Sequence, residues 1–196
     1  MKMATKQKID RSSQSSQKQS TNVKKEVISW ILTLAISIGI VVLLNTFVVR
    51  VMVVDGDSMV DTLHHNDRIL TTPLYTELSR GDIVVIHREN DQPLVKRVIA
   101  VAGDTIDVDY DTGKVLLNGE AIDEPYLDVK MQEPNYIGGN TPLPLTVSEG
   151  YVFVMGDNRN NSLDSRAQEV GEVPVENVFG KVFFRIWPLD ALGTIG

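Results

Sequence analysis

The chain of 196 residues reads as an all-β, antiparallel domain behind one amino-terminal transmembrane helix. Three observations carry that expectation. Val27–Val49, VISWILTLAISIGIVVLLNTFVV, runs for 23 residues without a charge. Beyond it, short β-branched and aliphatic runs alternate with turns rich in Gly, Asp and Asn, the spacing of an antiparallel sheet. No long amphipathic helix is read beyond residue 50.

Composition narrows the function. With 42% hydrophobic and 23% charged residues the chain is that of a folded protein, long enough for one domain and an appendage. There is no cysteine, which rules out a disulfide framework, a thiolate nucleophile and a cysteine-ligated metal. His64, His65 and His87 lack ligand spacing such as HExxH, so neither a metal nor another cofactor is expected. Residues 1–26 carry seven Lys/Arg against Asp10 and Glu26, which gives +5 and leaves −12 of the total −7 to residues 50–196. An acidic domain makes a poor nucleic-acid binder, because phosphate contacts need clustered cations.

Residues 1–26 are a basic tail. Residues 1–20 are so rich in Ser, Gln and Lys, with so little to bury, that disorder is expected there. As a helix, residues 27–49 would reach about 35 Å, enough to cross a hydrocarbon core of roughly 30 Å. A buried core helix would show polar positions at helical spacing, and a cleaved signal peptide would end in a small-x-small site; the run ends instead in VVRVMVVDG. Asn45 and Thr46, near its end, can bond locally or face the interface. Seven cations precede the span and only Arg50 follows closely, so the amino end is expected in the cytoplasm and residues 50–196 outside the cell membrane.

The expected strands are Arg50–Val54, Arg68–Thr71, Asp82–His87, Leu94–Val101, Thr105–Asp109, Lys114–Leu117, Tyr151–Val154 and Lys181–Ile186. Asn118-Gly119 suits a two-residue hairpin. Residues 123–149, with Gly138-Gly139 and a PLPL run, look like an excursion from the core.

Three stretches hold chemistry. LVKRVIAVAGD, Leu94–Asp104, is apolar on both faces, as a central strand would be, and yet contains Lys96. A lysine there either snorkels to the surface or is buried, in which case its amine tends to deprotonate and becomes a base. DGDSMVDTL, Asp55–Leu63, puts Ser58 on a turn past a strand end, a position shared by nucleophiles and by ordinary turn serines. GDNRNNSLDSR, Gly156–Arg166, packs two Asp, two Arg, two Ser and three Asn into eleven residues behind an apolar run. It is either a solvated loop or a hydrogen-bonded brace in which Asp164 and Arg166 pair.

Ser58-Met59, GDIVVIH, VKRVIAVAGD and GDNRNNSLDSR occur in an order and composition that resemble the bacterial type I signal peptidases. The single span resembles the one-anchor form usual in Gram-positive bacteria. The resemblance implies a β-rich serine endopeptidase that removes signal peptides from exported preproteins by a Ser–Lys dyad, after small residues in Ala-x-Ala-like sites. By position, Ser58 resembles the nucleophile and Lys96 the general base. Ser162 resembles a residue that hydrogen-bonds the lysine, Asp164 and Arg166 the supporting salt bridge, and Gly156 and Asp157 open the same supporting segment. Met52, Val54 and Val95 resemble the lining of the substrate pockets. Gly56 stands where some relatives have a serine hydroxyl, which leaves the oxyanion more dependent on backbone N–H groups, chiefly that of Ser58; Asp61 stands where the family usually has proline and removes no catalytic atom. Two rival readings are a Ser-His-Asp hydrolase using His87 and a non-catalytic, membrane-tethered domain that binds exported polypeptides.

Overall fold

The structure, a computed structural model, describes residues 25–42, 48–88, 92–127 and 129–195. The basic tail as far as residue 24, and Asn45 and Thr46, lie outside the described residues. The chain divides into two compact units, Met1–Phe47 and Val48–Gly196.

In the first unit Lys25–Val42 forms helix α1, with every residue exposed. Its hydroxyls are satisfied within the helix: Thr33 Oγ1 donates to the Ser29 carbonyl at 2.8 Å and Ser37 Oγ to the Thr33 carbonyl at 2.9 Å. Back-bonding of this kind removes the polar cost a hydroxyl would carry in lipid. Bare apolar side chains such as Trp30, at 77% exposure, then match a lipid surrounding rather than water.

Among the described residues the second unit holds twelve strands: β1 (Arg50–Val53), β2 (Arg68–Thr72), β3 (Ile83–Ile86), β4 (Leu94–Val101), β5 (Thr105–Asp109), β6 (Lys114–Leu117), β7 (Glu120–Ala121), β8 (Leu145–Thr146), β9 (Tyr151–Met155), β10 (Val173–Pro174), β11 (Val178–Trp187) and β12 (Gly193–Thr194). The larger sheet runs β1-β2-β11-β3-β4-β9-β10 with β12 on β11, and the smaller runs β7-β6-β5-β8. Neighbouring strands pair antiparallel throughout.

β3 shows why the larger sheet is covered twice. All four of its residues are buried, and period-two alternation sends Ile83 and Val85 to one apolar cluster and Val84 and Ile86 to another. The first cluster, with Val54, Met59, Leu63 and Ile69, lies beneath the Ser58 loop. A third joins the smaller sheet to β9 through Ile106, Val115, Phe153 and Met155. Asn118 and Gly119 have φ of 55° and 86° between β6 and β7, the paired positive angles of a type I′ hairpin.

Beyond one-residue shifts at strand ends and a few two-residue strands, two departures from expectation stand out. The last long strand spans Val178–Trp187, because three register shifts, two against β2 and one against β3, let it pair with both. Residues 123–149 are more than an excursion: Met131 and Val147 are buried in the third cluster, and Leu145–Thr146 pairs with β5. Their apolar residues are too sparse to show a period.

Phe153 is fully buried at the centre of this third cluster. Phe153→Ala is expected to lower the unfolding free energy by about 3–5 kcal/mol, read by urea unfolding of the purified chain.

Candidate active site

β4 pairs with β3 on one side and with β9 on the other, where Arg97 stands opposite Met155. The next residue of β9's chain, Gly156, is thereby delivered beside Lys96. Lys96 does not snorkel: it is 1% exposed. Its Nζ donates to Ser58 Oγ at 2.8 Å and to its neighbour's carbonyl, that of Val95, at 2.9 Å. Ser58 arrives from the turn that leaves β1, and Gly56, two residues before it, has φ +93°. A serine would take that conformation only with strain, so glycine at this position suits the local backbone.

Burial pulls the Lys96 ammonium down to about 8, against the opposing charges of Asp164 and Asp157 and with a smaller push from Arg88. Both carboxylates are already engaged. Asp157 takes the Arg97 guanidinium side-on, Nε at 2.9 Å and Nη2 at 2.7 Å, and also accepts from the Thr62 hydroxyl. Asp164 takes Arg166 in the same manner, both contacts at 2.8 Å, and accepts from the Gly156 N–H at 3.0 Å. Burial opposes ionisation of Asp164, yet Arg166 and these N–H groups hold it below the usual carboxylate range.

The glycine at 156 is dictated by contact. A Cβ there would lie 2.3 Å from Ser162 Oγ and 2.4 Å from the Ser58 carbonyl oxygen. That same carbonyl accepts from the Asn158 N–H at 3.0 Å, so the 156–166 segment touches the backbone of Ser58 itself. Ser162 is nearby with its Oγ buried, but Lys96 Nζ gives its hydrogen bonds to Ser58 and Val95, and the expected bond from Ser162 to Lys96 is not formed. Met52, Val54 and Val95 do come together on one apolar cluster. Val54 is only 3% exposed, and so shapes that cluster from beneath while Met52 and Val95 stay half-buried at its surface. His87 gives its N–H to the Asn177 carbonyl and lines a separate cavity with Glu169 and Pro174.

The profile of the family described as signal peptidase, peptidase S26, matches residues 27–187. The chain belongs to this family. Signal peptidase IB of Staphylococcus aureus strain COL is 34% identical over 182 residues, covering 86% of this chain and 93% of that one. Signal peptidase I S of Bacillus subtilis strain 168 is 34% identical over 176 residues, with 86% and 94% covered. A crystal structure of a signal peptidase I from Enterococcus faecalis V583 is similar at 30% identity and a TM-score of 0.43, over 54% of this chain and 97% of that one. The protein is thus a signal peptidase I-type serine protease, a hydrolase whose substrates bear signal peptides. With its apolar amino-terminal helix it fits a membrane-anchored member of the signal peptidase family.

Several residues that hold the peptidase site together escaped the sequence reading. Arg97 left a trace, since consecutive cations in an apolar strand must point to opposite faces and each needs a partner. Its partner Asp157 is 60 residues away, and nothing local links them. Arg159 is buried against Glu124, and Tyr126 covers the Arg97 guanidinium with its ring centroid at 4.1 Å. Tyr136 donates its hydroxyl to the Ser162 carbonyl at 2.8 Å. Burial and the Asp164 charge push that phenol up, so it remains a donor.

Asp164→Ala leaves the Arg166 guanidinium, 1% exposed, without its counter-ion. A loss of about 3–5 kcal/mol is expected, together with slower cleavage as the segment carrying Ser162 loosens. Wild-type melting temperature and turnover in this variant would exclude the bracing role.

Proposed function

We propose that Ser58 is the nucleophile and Lys96 the general base of a signal peptide-cleaving dyad. The observation that carries this reading is the 2.8 Å contact between Lys96 Nζ and Ser58 Oγ, made by an amine that is almost wholly buried. A free lysine is neutral in roughly four molecules in ten thousand at pH 7. With its pKa lowered to about 8, the neutral fraction becomes roughly one in ten. A bound substrate would dry the site further.

The steps follow. Ser58 Oγ attacks the scissile carbonyl carbon while its proton passes to neutral Lys96. The Ser58 N–H makes no hydrogen bond among the described residues and is available to the oxyanion. Collapse breaks the C–N bond, and the Lys96 ammonium returns the proton to the leaving amine, which is the new amino terminus of the mature protein. Water then attacks the acyl-serine ester with Lys96 again as base, freeing the signal peptide and restoring Ser58.

The substrate adds as an extended strand. β1 ends the larger sheet, so its outer edge has unpaired backbone groups that an incoming peptide can satisfy. Alternate side chains then fall toward Met52, Val54 and Val95, where a confined apolar site favours Ala, Gly or Ser at two positions spaced by one. Asp164 with Arg166, together with Gly156 and Asp157, hold lysine and nucleophile in register, and Ser162 packs against Gly156 within the same segment. The working organisation is a cytoplasmic basic tail over residues 1–26, a bilayer anchor over 27–49 and an exterior peptidase domain over 50–196.

Lys96→Arg keeps the charge but cannot deprotonate in the working range; it and Ser58→Ala should abolish cleavage of a signal-peptide substrate, while His87→Ala should leave it nearly intact. Substantial cleavage by Lys96→Arg would refute the dyad. The pH profile gives a second check. Burial disfavours the charged amine, so kcat/KM should rise about tenfold per unit up to a pH near 8 and then level. Asp157 raises the lysine's pKa, so Asp157→Asn should shift that limb to lower pH.

The topology is tested separately. Protease added to intact protoplasts should remove residues 50–196, and full protection of them would overturn the orientation.

A further inference from the structure

Strand β11 carries an arginine where alternation alone would not place one. Val182 stands opposite Thr71 and Arg185 opposite Ile69. Thr71 and Ile69 are two residues apart, both buried, and so share a face. Val182 and Arg185 are three apart. The extra residue is absorbed by the bulge between Val182 and Phe184, which turns Arg185 inward where a regular strand would turn Phe184.

From there the guanidinium reaches three oxygens on two segments. Nη1 donates to the Thr62 carbonyl at 3.1 Å and to Asp67 Oδ2 at 3.0 Å. Nε donates to the Ala191 carbonyl at 2.7 Å. Asp67 is buried and also accepts from the His64 N–H at 3.0 Å. These contacts fall on the returning limb of the loop that carries Ser58. Its mouth is closed by Val54 N–H to the Asp67 carbonyl and Asn66 N–H to the Val54 carbonyl, and its interior by Leu63 N–H to the Met59 carbonyl. Met59 directly follows Ser58, so a shift at Thr62 and Leu63 is passed through one turn of backbone to the nucleophile.

We propose that Arg185 is a positioning residue for Ser58: it clamps the nucleophile loop and ties it to the carboxy-terminal turn Leu189–Ala191. The inference rests on the proposed role of Ser58. A planar guanidinium can donate along two edges at once, whereas an ammonium offers its donors from one point. Lysine at 185 could therefore hold Asp67 but not all three acceptors.

The test uses the full chain in detergent, a signal-peptide-bearing peptide, and temperatures well below each variant's melting point, so that folded enzyme is compared with folded enzyme. Arg185→Met should lower kcat about 10- to 100-fold through nucleophile misplacement. KM should stay unchanged, because Met52, Val54 and Val95 are untouched. The acidic limb of the pH profile should also stay in place, since Lys96 keeps its surroundings. Arg185→Lys should recover part of the loss. Wild-type kcat in folded Arg185→Met, or a defect confined to KM, overturns the proposal. Should Arg185→Met fail to fold, Arg185→Lys and Asp67→Asn decide, and wild-type kcat in both overturns it. Ser58→Ala is run alongside. Cleavage by Ser58→Ala would defeat the nucleophile assignment itself, whereas an inactive Ser58→Ala beside a fully active Arg185→Met would defeat only this inference.

Discussion

The burial of one amine governs this structure. Lys96 is 1% exposed with its pKa lowered to about 8 from 10.5, a difference of about 3 kcal/mol between its two protonation states. The sign sets where that cost falls. Above the unfolded value the amine is neutral in both states and folding carries no penalty; as pH falls toward 8 the penalty grows, and below 8 it is complete. At neutral pH the fold therefore tolerates a destabilising lysine, and it does so with a sheet covered on both faces.

Two carboxylates near a buried lysine would ordinarily defeat the depression, since each favours the ammonium. Asp157 and Asp164 are placed to do so and both push upward. Each, however, has a guanidinium side-on against it, Arg97 in one case and Arg166 in the other, with every partner 6% exposed or less. Each carboxylate's charge is thus met by its own guanidinium, and at Lys96 desolvation outweighs both carboxylates. The pairs have a second consequence: Asp164 holds the Gly156 N–H, and its neighbour Asp157 holds Thr62 on the Ser58 loop. Electrostatic tuning and geometric bracing are carried by the same four side chains.

Much of this was legible in the sequence where the signal was local. Period-two runs marked the long strands, Asn118-Gly119 marked its hairpin, and Lys96 stood out as a charge in an apolar strand. The density of GDNRNNSLDSR pointed to a brace, and Asp164 and Arg166, two residues apart, do pair. What stayed hidden depends on contacts between distant segments. Arg97 and Asp157, Arg159 and Glu124, and Tyr136 and Ser162 are separated by 60, 35 and 26 residues. The role of residues 123–149 was obscured for the same reason: Met131 and Val147 are isolated apolar residues whose burial is decided by the third cluster they complete. In β11 the bulges break the alternation on which a strand reading relies.

The glycine at 156 shows how tightly the two halves of the site are fitted. With 2.3 Å to Ser162 Oγ and 2.4 Å to the Ser58 carbonyl from any added Cβ, there is room for backbone alone between Ser58 and the segment behind it. Closeness is what lets the Asn158 N–H reach the Ser58 carbonyl, and it fixes Ser58 from the side away from Lys96's strand partner in β3. The turn that carries Ser58 is held by its own backbone hydrogen bonds and also from outside. Part of that outside support comes from a segment whose own position is set by Asp164 and Arg166. A serine placed this way needs no reorganisation to meet the lysine, which is the condition the proposed dyad requires of a weak nucleophile and a scarce neutral amine.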